Sequence, residues 1–363
     1  MSRALKTELC DLLGCRYPIV QTAMGWVADA RLVAATCNAG GFGFLAGVTI
    51  EPDRLEDEIR KVMALTDKPF GLNFHMWQSN AAQAIDLVVK YSHRIRAVSY
   101  GRGPDKATIR RFKDAGVLCM PTVGAVKHAL KAVELGADIV TIQGGEGGGH
   151  TGNVPTSILL PQVLDAVRVP VVAAGGFHDG RGLAAALGYG AVGIAMGTRF
   201  LMTRDSPVPD ATKQHYVAVN DVAHIRVSHA VDGMPQRHID NAYLLRLEAD
   251  SGFKRVLVAL QCAWKWKAQT GMSTGHMLRT AAKALREDGM SVAQTLMAAN
   301  APMLIQRSIV EGRPDEGVLP SGQVAAAIGE LKSCAEVIEE LVAQAHARLD
   351  AIAALTRTQE TLP

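Results

Sequence analysis

The segment Gln143–Gly152 contains the residue types best suited to chemistry in this chain. Six of its ten residues are glycines, and it follows the largely apolar run Ala137–Ile142. Glycine lets backbone pass close to a ligand and adopt positive φ, and histidine exchanges a proton near neutral pH. A strand that leads into this loop predicts a ligand cradle beside His150. A flexible linker is the alternative, which the periodic sequence on both sides disfavours.

Two other loops combine a strand, a glycine and the start of a helix. Gly175-Gly176 follows Val171–Ala174, and Gly197-Thr198 follows the next apolar run. Backbone N–H groups at such helix starts bind phosphate. We count these loops as those after the seventh and eighth strands, where barrel folds place phosphate sites. They predict phosphate binding; two tight turns that need glycine for steric reasons are the alternative.

Three amide side chains stand at the ends of predicted strands: Gln21, Asn73 and Gln143. An amide donates and accepts hydrogen bonds at once, which suits the edge of a flat heterocycle. One amide alone would be read as a satisfied core group, but three at strand ends near a phosphate site are more specific. The spacing Gly147-x-Gly149-x-x-Gly152 matches a dinucleotide fingerprint only by letter, because Pro155 follows and no helix opens inside the glycines.

Eight strand-like runs alternate with helical segments through the first 200 residues. Such alternation predicts an α/β fold, and eight units fit a (β/α)₈ TIM barrel. A doubly wound open sheet also alternates, but polar residues at the ends of many different strands favour the barrel. The predicted strands lie near Ile19–Met24, Phe42–Ala46, Phe70–Phe74, Ala97–Tyr100, Val117–Val123, Ile139–Gln143, Val169–Ala174 and Val192–Met196.

The alternation of strand-like and helical segments ends after Phe200. Residues 204–318 show helical patterning with few strand signals, and the Ala-rich segment after Ser321 reads as one long helix. We therefore predict a barrel of residues 1–203 and 319–363, with a helical lid insertion of residues 204–318 before the closing C-terminal helix.

The composition indicates an ordinary globular enzyme. The chain has 363 residues, 48% of them hydrophobic, and a net charge of +3, so no strongly charged partner is implied. No nucleic-acid motif, secretory leader or membrane-spanning run is evident, which predicts a cytoplasmic protein. Six scattered cysteines show no zinc spacing, so no metal is expected. A homo-oligomer stays possible.

With these motifs together, the chain resembles the nitronate monooxygenase (2-nitropropane dioxygenase-like) family of FMN-dependent barrels, whose scaffold the flavin-dependent enoyl-ACP reductases share. The resemblance implies bound FMN and makes His150 the base toward an acidic C–H, with a purely structural ring as the alternative. It rests on Pro18–Trp26, Asn38–Phe44, Lys68–Asn73, Gln143–Gly152, Ala173–Gly182, Gly190–Leu201 and Ser321–Gln323. The cofactor-binding residues it implies are Gln21, Ala23, Met24, Gly25, Asn73, Gln143, Gly145, Gly148, Gly149, Gly175, Gly176, Gly197, Thr198 and Gln323.

Two departures point away from nitronates. Family members that oxidise nitronates tend to carry His-Lys-Cys-Thr at the end of strand five, where this chain has Pro121–Gly124, with Thr122 in the lysine's place. Thr151 also follows His150 where an arginine is common. The motifs Val231–Pro235, Leu296–Leu304 and Ser321–Ala325 resemble a subgroup associated with bacterial steroid breakdown, which acts on CoA thioesters of the C/D-ring skeleton.

A basic segment between Asp250 and Glu287 bears on that choice. It holds seven Lys and Arg residues and no acidic one. CoA carries three phosphates and an adenine, so cationic and aromatic side chains suit it. A solvated basic helix face is an equally good explanation, and RNA binding a weaker one. The predicted substrate-binding residues are Lys254, Arg255, Lys265, Lys267, Trp264 and Trp266.

The function predicted is an FMN-dependent oxidoreductase that dehydrogenates the ring of a steroid-derived acyl-CoA thioester. Three alternatives remain: oxidation of alkyl nitronates with O₂, NAD(P)H-dependent reduction of quinones or enoyl thioesters, and a ligand-binding barrel without catalysis.

Overall fold

The computed structural model describes residues 5–357, apart from 77, 79, 102 and most of 251–299. Within that last range it describes only residues 259, 261, 262, 264, 275, 295 and 297. The chain forms two compact units. The first contains residues 1–147, 152–207 and 327–363, and the second contains residues 148–151 and 208–326.

The first unit is built on a parallel sheet of nine strand segments, in the order β5-β4-β3-β2-β1-β10-β9-β7-β6. All pairings in this sheet are parallel. The segments are β1 (Ile19–Gln21), β2 (Phe42–Ala46), β3 (Phe70–Asn73), β4 (Ile95–Ser99), β5 (Leu118–Cys119), β6 (Thr122–Val123), β7 (Val140–Gln143), β9 (Val171–Ala174) and β10 (Gly193–Met196).

The two ends of this sheet, β5 and β6, are halves of one strand. Pro121 interrupts it, because proline has no N–H to donate to a ladder. The pairing nevertheless continues across the break: the amide of Met120 donates to the carbonyl of Val98, and Thr141 donates to the carbonyl of Pro121. The sheet therefore closes on itself with eight strands, and the predicted (β/α)₈ barrel is confirmed.

Strand alternation sorts the side chains into two layers. The barrel interior is filled by large apolar residues that include Phe42, Phe44 and Met120, and Leu9 and Leu13 join this cluster. Phe44 requires glycine on the neighbouring strand, since a Cβ at Gly71 would lie 2.2 Å from its ring. Leu45, Leu72 and Val98 point outward and pack in a second cluster with residues of the surrounding helices.

Helices follow most strands of the first unit, as predicted. Several begin with an aspartate whose side chain accepts from a backbone amide of the first turn, as at Asp29 and Asp105. The helices are α1 (Glu8–Leu13), α2 (Ala30–Asn38), α3 (Leu55–Leu65), α4 (Ala81–Lys90), α5 (Lys106–Asp114), α6 (Val126–Leu135), α7 (Thr156–Ala166), α8 (Gly180–Tyr189), α9 (Thr198–Leu201) and, at the C-terminus, α13 (Cys334–Arg357). Helices α13 and α8 approach so closely that a Cβ at Gly180 would lie 2.3 Å from the carbonyl of Leu341.

The second unit combines helices with a small antiparallel sheet. Its central strand, β12 (Gln236–Ile239), pairs with β11 (Ile225–Ser228) on one side and with β8 (Gly149–His150) and β13 (Leu319–Pro320). The described helices are α10 (Asp210–Val217), α11 (Ala242–Ala249) and α12 (Asn300–Ile309). A core of Val231, Leu244, Leu304, Val318 and neighbours lies among them.

The sequence did not predict these strands, because they are short and mostly polar on the face that carries Gln236 and His238. Nor did it predict that Gly148–Thr151 leaves the barrel unit: this segment pairs with β12 instead. Within the described part of the chain, no helix has the length and apolar character needed to cross a membrane.

Candidate active site

His150 lies on β8, where glycine allows the strand to form. A Cβ at Gly148 would lie 2.5 Å from the amide nitrogen of Gly322, so only glycine permits that approach. Gly149 has a φ of +65°, which favours glycine as well. Antiparallel pairing then sets His150 directly opposite Gln236 on β12. The glycine run thus fixes the position of the histidine.

The imidazole of His150 meets a buried carboxylate. Its Nε2 is 2.8 Å from Oδ2 of Asp232 and 3.0 Å from Nε2 of Gln236. The Gln236 amide also donates to Asp232 Oδ2 at 2.5 Å, and the backbone amide of Met234 donates to the other carboxylate oxygen. The His150 side chain is 54% exposed, whereas that of Asp232 is 5% exposed. The imidazole of this pair is therefore exposed to solvent, whereas its carboxylate is buried.

The hydrogen bonds keep Asp232 ionised despite its burial. Burial alone raises the pKa of this carboxyl, but the contacts with His150, the Met234 amide and Gln236 outweigh it, and the net pKa is lowered. A third group, His238, is fully buried nearby, and burial lowers its pKa to about 4. His150 is thus an imidazole beside a fixed negative charge, the arrangement of a general base.

In the first unit, side chains that point inward at the carboxyl ends of the barrel strands are mostly polar. Asn73 and Gln143 end β3 and β7 there, and Thr122 lies on β6 opposite Thr141. The amide of Asn73 donates to the carbonyl of Ser99 at 3.0 Å, which fixes its plane. These groups can hydrogen-bond the polar edge of a ring.

Gln21 is placed differently from the other two amides. It is fully buried, and its Nε2 donates to the carbonyls of Thr22 and Phe44. Because Val20 points into the barrel, strand alternation turns Gln21 outward, toward Val33 of α2. By the same alternation Thr22, the residue after β1, faces inward, whereas the Gln21 amide binds backbone carbonyls.

The loops after β7 and β9 are tied together by one threonine. The hydroxyl of Thr156 lies 2.8 Å from both the Gly175 carbonyl and the Glu146 carboxylate, and its backbone amide donates to Glu146. A Cβ at Gly144 would lie 2.0 Å from that hydroxyl. Glu146, Thr156 and Gly175, here called the loop brace, hold these two loops in one arrangement.

Gly175 and Gly176 leave backbone open at the end of β9. Their φ angles are +93° and +86°, and Gly176 is exposed. Gly197 precedes α9, and Thr198 begins it. The chain carries a non-glycine residue at positive φ, Trp26, directly after Ala23–Gly25; such strained positions favour functional sites. The predicted cofactor residues Asn73, Gln143, Gly145, Gly175, Gly176, Gly197 and Thr198 all belong to this unit.

The remaining predicted residues belong to the second unit. Gly148, Gly149, His150 and Gln323 are described there, with Gln323 opening the 3₁₀ helix Gln323–Ala327. Of the predicted substrate residues only Trp264 is described, and it is 76% exposed. Lys254, Arg255, Lys265, Lys267 and Trp266 lie outside the described residues.

Comparison with known proteins decides the family. The profile of the nitronate monooxygenase family matches residues 6–91 and 76–344. The chain belongs to the nitronate monooxygenase family. The resemblance inferred from the sequence is confirmed, and the protein is an oxidoreductase.

Individual relatives match almost end to end. The chain is 48% identical to the (3aS,4S,5R,7aS)-5-hydroxy-7a-methyl-1-oxo-octahydro-1H-indene-4-carboxyl-CoA dehydrogenase of Rhodococcus jostii strain RHA1, over 97% of this chain and 99% of that protein. It is 46% identical to the dehydrogenase of that name from Mycobacterium tuberculosis strain H37Rv, with the same coverage. Among solved structures, FabK from Thermotoga maritima matches with a TM-score of 0.77 and 27% identity, over 97% of this chain and 99% of that one.

Sequence reasoning missed Asp232 and Gln236. They lie 82 and 86 residues from His150, and only strand pairing brings them together. Val231–Pro235 was noted as a motif, but an aspartate before Gly233 reads as a turn residue. It is one: Asp232 accepts from the Met234 amide, and Gly233 has a φ of +81°.

Proposed function

We propose that this protein is an FMN-dependent dehydrogenase of a ring-bearing acyl-CoA thioester, with His150 as its general base. The observation that carries the proposal is the contact between His150 and Asp232, which the pairing of β8 with β12 brings about. The chain is also similar over nearly its full length to indene-carboxyl-CoA dehydrogenases. A base beside a fixed carboxylate suits removal of a proton from carbon.

Family membership supports a flavin, and the donors of the first unit fit one. The exposed Gly176 backbone and the Thr198 helix start suit a phosphate group. The amides of Asn73 and Gln143 suit the hydrogen-bonding edge of the ring, and Ala23–Gly25 offers backbone against its face. When bound, FMN supplies the acceptor for a hydride from the substrate.

The residues of this chain would handle the proton. A thioester carbonyl makes the C–H on its α carbon acidic. His150 breaks that bond by taking the proton, while a hydride leaves the β carbon and a carbon–carbon double bond forms. The resulting imidazolium is paired with Asp232, whose negative charge offsets the new positive one. The carboxylate stays ionised throughout, because its hydrogen bonds hold its pKa low.

Nitronate oxidation, for which the family is named, is the second candidate. Thr122 argues against nitronate oxidation, since it points inward at the start of β6, where nitronate-oxidising members tend to carry lysine. NAD(P)H-dependent reduction is a third possibility on the same scaffold. The basic segment after Asp250 supports a CoA ligand by its charge alone.

An anaerobic titration of the purified flavoprotein separates these functions. We expect an indene-carboxyl-CoA thioester to bleach the flavin, and an alkyl nitronate or NAD(P)H to do so far more slowly. His150→Ala should slow bleaching by the thioester by about 10²–10⁴-fold while retaining FMN. His128→Ala, an exposed histidine on α6, is the matched control. Fast bleaching by the nitronate or by NAD(P)H alone would reject the proposal.

A further inference from the structure

We propose that Asp232 is the positioning residue of His150: it fixes the proton of the neutral imidazole on Nε2, so that Nδ1 is the atom that accepts the substrate proton. This inference rests on the proposed function for its catalytic meaning. The tautomer itself is a property of the protein alone and can be measured without substrate.

The groups that contact Nε2 of His150 indicate which ring nitrogen carries the proton. Oδ2 of Asp232 lies 2.8 Å from this atom, and Nε2 of Gln236 lies 3.0 Å from it. An amide nitrogen donates and does not accept, whereas an ionised carboxylate only accepts. The Gln236 amide already donates to Asp232 Oδ2. The consistent assignment is therefore that Nε2–H of His150 also donates to Asp232.

The carboxylate is held in place independently of His150. Its Oδ1 accepts from the Met234 amide in a turn that Gly233 permits, and its Oδ2 accepts from Gln236. Gln236 is fixed in turn, because β12 pairs with β8 and β11 on its two sides. The side chain of Asp232 is almost fully buried, so solvent does not compete for these bonds. A rigid acceptor of this kind selects one tautomer of a more exposed ring.

Other charges near the pair do not change this assignment. His238, on the same face of β12, is a titratable group that interacts with both partners, and it is neutral above about pH 4. Arg226, opposite His238 on β11, is paired with Asp240 and Glu248. Among the described contacts, the negative charge paired with His150 is that of Asp232.

The decisive measurement is the nitrogen NMR spectrum of ¹⁵N-histidine-labelled holoprotein above pH 7. We expect the His150 signals, assigned by their loss in His150→Gln, to show a protonated Nε2 and an unprotonated Nδ1. Asp232→Asn should give a mixture of tautomers, because an asparagine amide can donate as well as accept. Asp240→Asn, which removes a carboxylate directly after β12, should leave the tautomer unchanged.

Gln236→Leu is a second test variant, which keeps the inference testable if Asp232→Asn does not fold. It removes a donor but leaves the Asp232 acceptor, so the Nε2–H tautomer should persist. A wild-type His150 protonated on Nδ1, or a tautomer that changes in Gln236→Leu and not in Asp232→Asn, would overturn the inference.

Kinetics then separate this inference from the proposed function. Asp232→Asn should lower kcat by less than the loss of the base itself, which is about 10²–10⁴-fold, with little change in KM, and Asp232→Glu should recover part of it. A lower kcat at unchanged KM, partly recovered in Asp232→Glu, is a result that a purely structural role would not produce. If His150→Ala is inactive and Asp232→Asn matches the wild type, only the positioning role fails. If His150→Ala is fully active, the proposed function fails while the tautomer result stands.

Discussion

At the scale of single residues, His238 is the feature that the proposed chemistry leaves unexplained. It is fully buried beside the His150–Asp232 pair, and neither ring nitrogen has a hydrogen-bond partner in the described structure. An unpaired buried donor costs about 1–3 kcal/mol. Burial also holds the pKa of His238 at about 4 against 6.5 for a free histidine. The unfolded chain therefore binds a proton here at a pH where the folded chain does not.

This difference predicts acid sensitivity with a definite sign. Because the folded pKa is lowered, stability should fall as the pH drops below about 6.5 and level off near 4, by a total of about 3 kcal/mol. Asp232, whose folded pKa is also lowered, adds its own loss at still lower pH. His238→Leu should remove the part between 6.5 and 4 without lowering stability at neutral pH. Urea unfolding at several pH values measures this.

The control for this prediction is His128→Leu, which changes an exposed histidine on α6. It should leave the acid loss between pH 6.5 and 4 in place. An unaltered acid loss in His238→Leu would show that this histidine is protonated equally in the folded and unfolded chains.

At the scale of elements, the loop brace holds the two loops on which the proposed phosphate site depends. A methyl group at Gly144 would lie 2.0 Å from the Thr156 hydroxyl and 2.6 Å from its amide nitrogen, so one of the two loops must move. Gly144→Ala should therefore cost about 1–3 kcal/mol and weaken FMN binding. Thermal unfolding and a fluorescence titration of FMN into the flavin-free protein check both effects.

Gly188→Ala is the matched control, since nothing lies within 4 Å of the added methyl group on α8. It should leave FMN affinity unchanged and raise stability slightly, because alanine is the better helix former by about 1 kcal/mol. Equal FMN affinity in Gly144→Ala and the wild type would contradict the role assigned to the brace.

The elements also show what the sequence could and could not predict. Barrel strands and their helices were predictable, because buried parallel strands form apolar runs with glycine at their ends. Gln21 was assigned to the site because it ends a strand; alternation faces Thr22 inward instead. Asp232 could not be predicted, since its meeting with His150 depends on a pairing between two short strands far apart in sequence. The sequence also did not predict the break in the strand at Pro121, because Val117–Val123 reads as one apolar run.

At the scale of the whole molecule, the proposed base lies on a short segment that interrupts the first unit and belongs to the second. Residues 148–151 leave the first unit, form β8 of the second, and return before α7 begins. The loop that sequence reasoning placed in the barrel thus belongs partly to the inserted unit, which provides both His150 and Asp232. The basic segment after Asp250 lies mostly outside the described residues, and CoA binding by it stays a proposal based on charge.

Reversing charge in that segment tests the proposal on the intact enzyme. Lys265→Glu combined with Lys267→Glu should raise KM for the CoA thioester about tenfold, equivalent to about 1.4 kcal/mol of binding, because two attractive contacts with phosphate become repulsive. The limiting rate of flavin reduction should stay the same, since His150 is unaltered.

A truncated thioester without the nucleotide should show no difference between variant and wild type, and added salt should weaken binding of the full CoA thioester to the wild type. Lys68→Glu with Lys131→Glu makes the same charge change at exposed positions near α3 and on α6, and should leave KM unchanged. If both double variants raise KM equally, the effect is one of net charge, and the segment is a solvated basic surface without a CoA site.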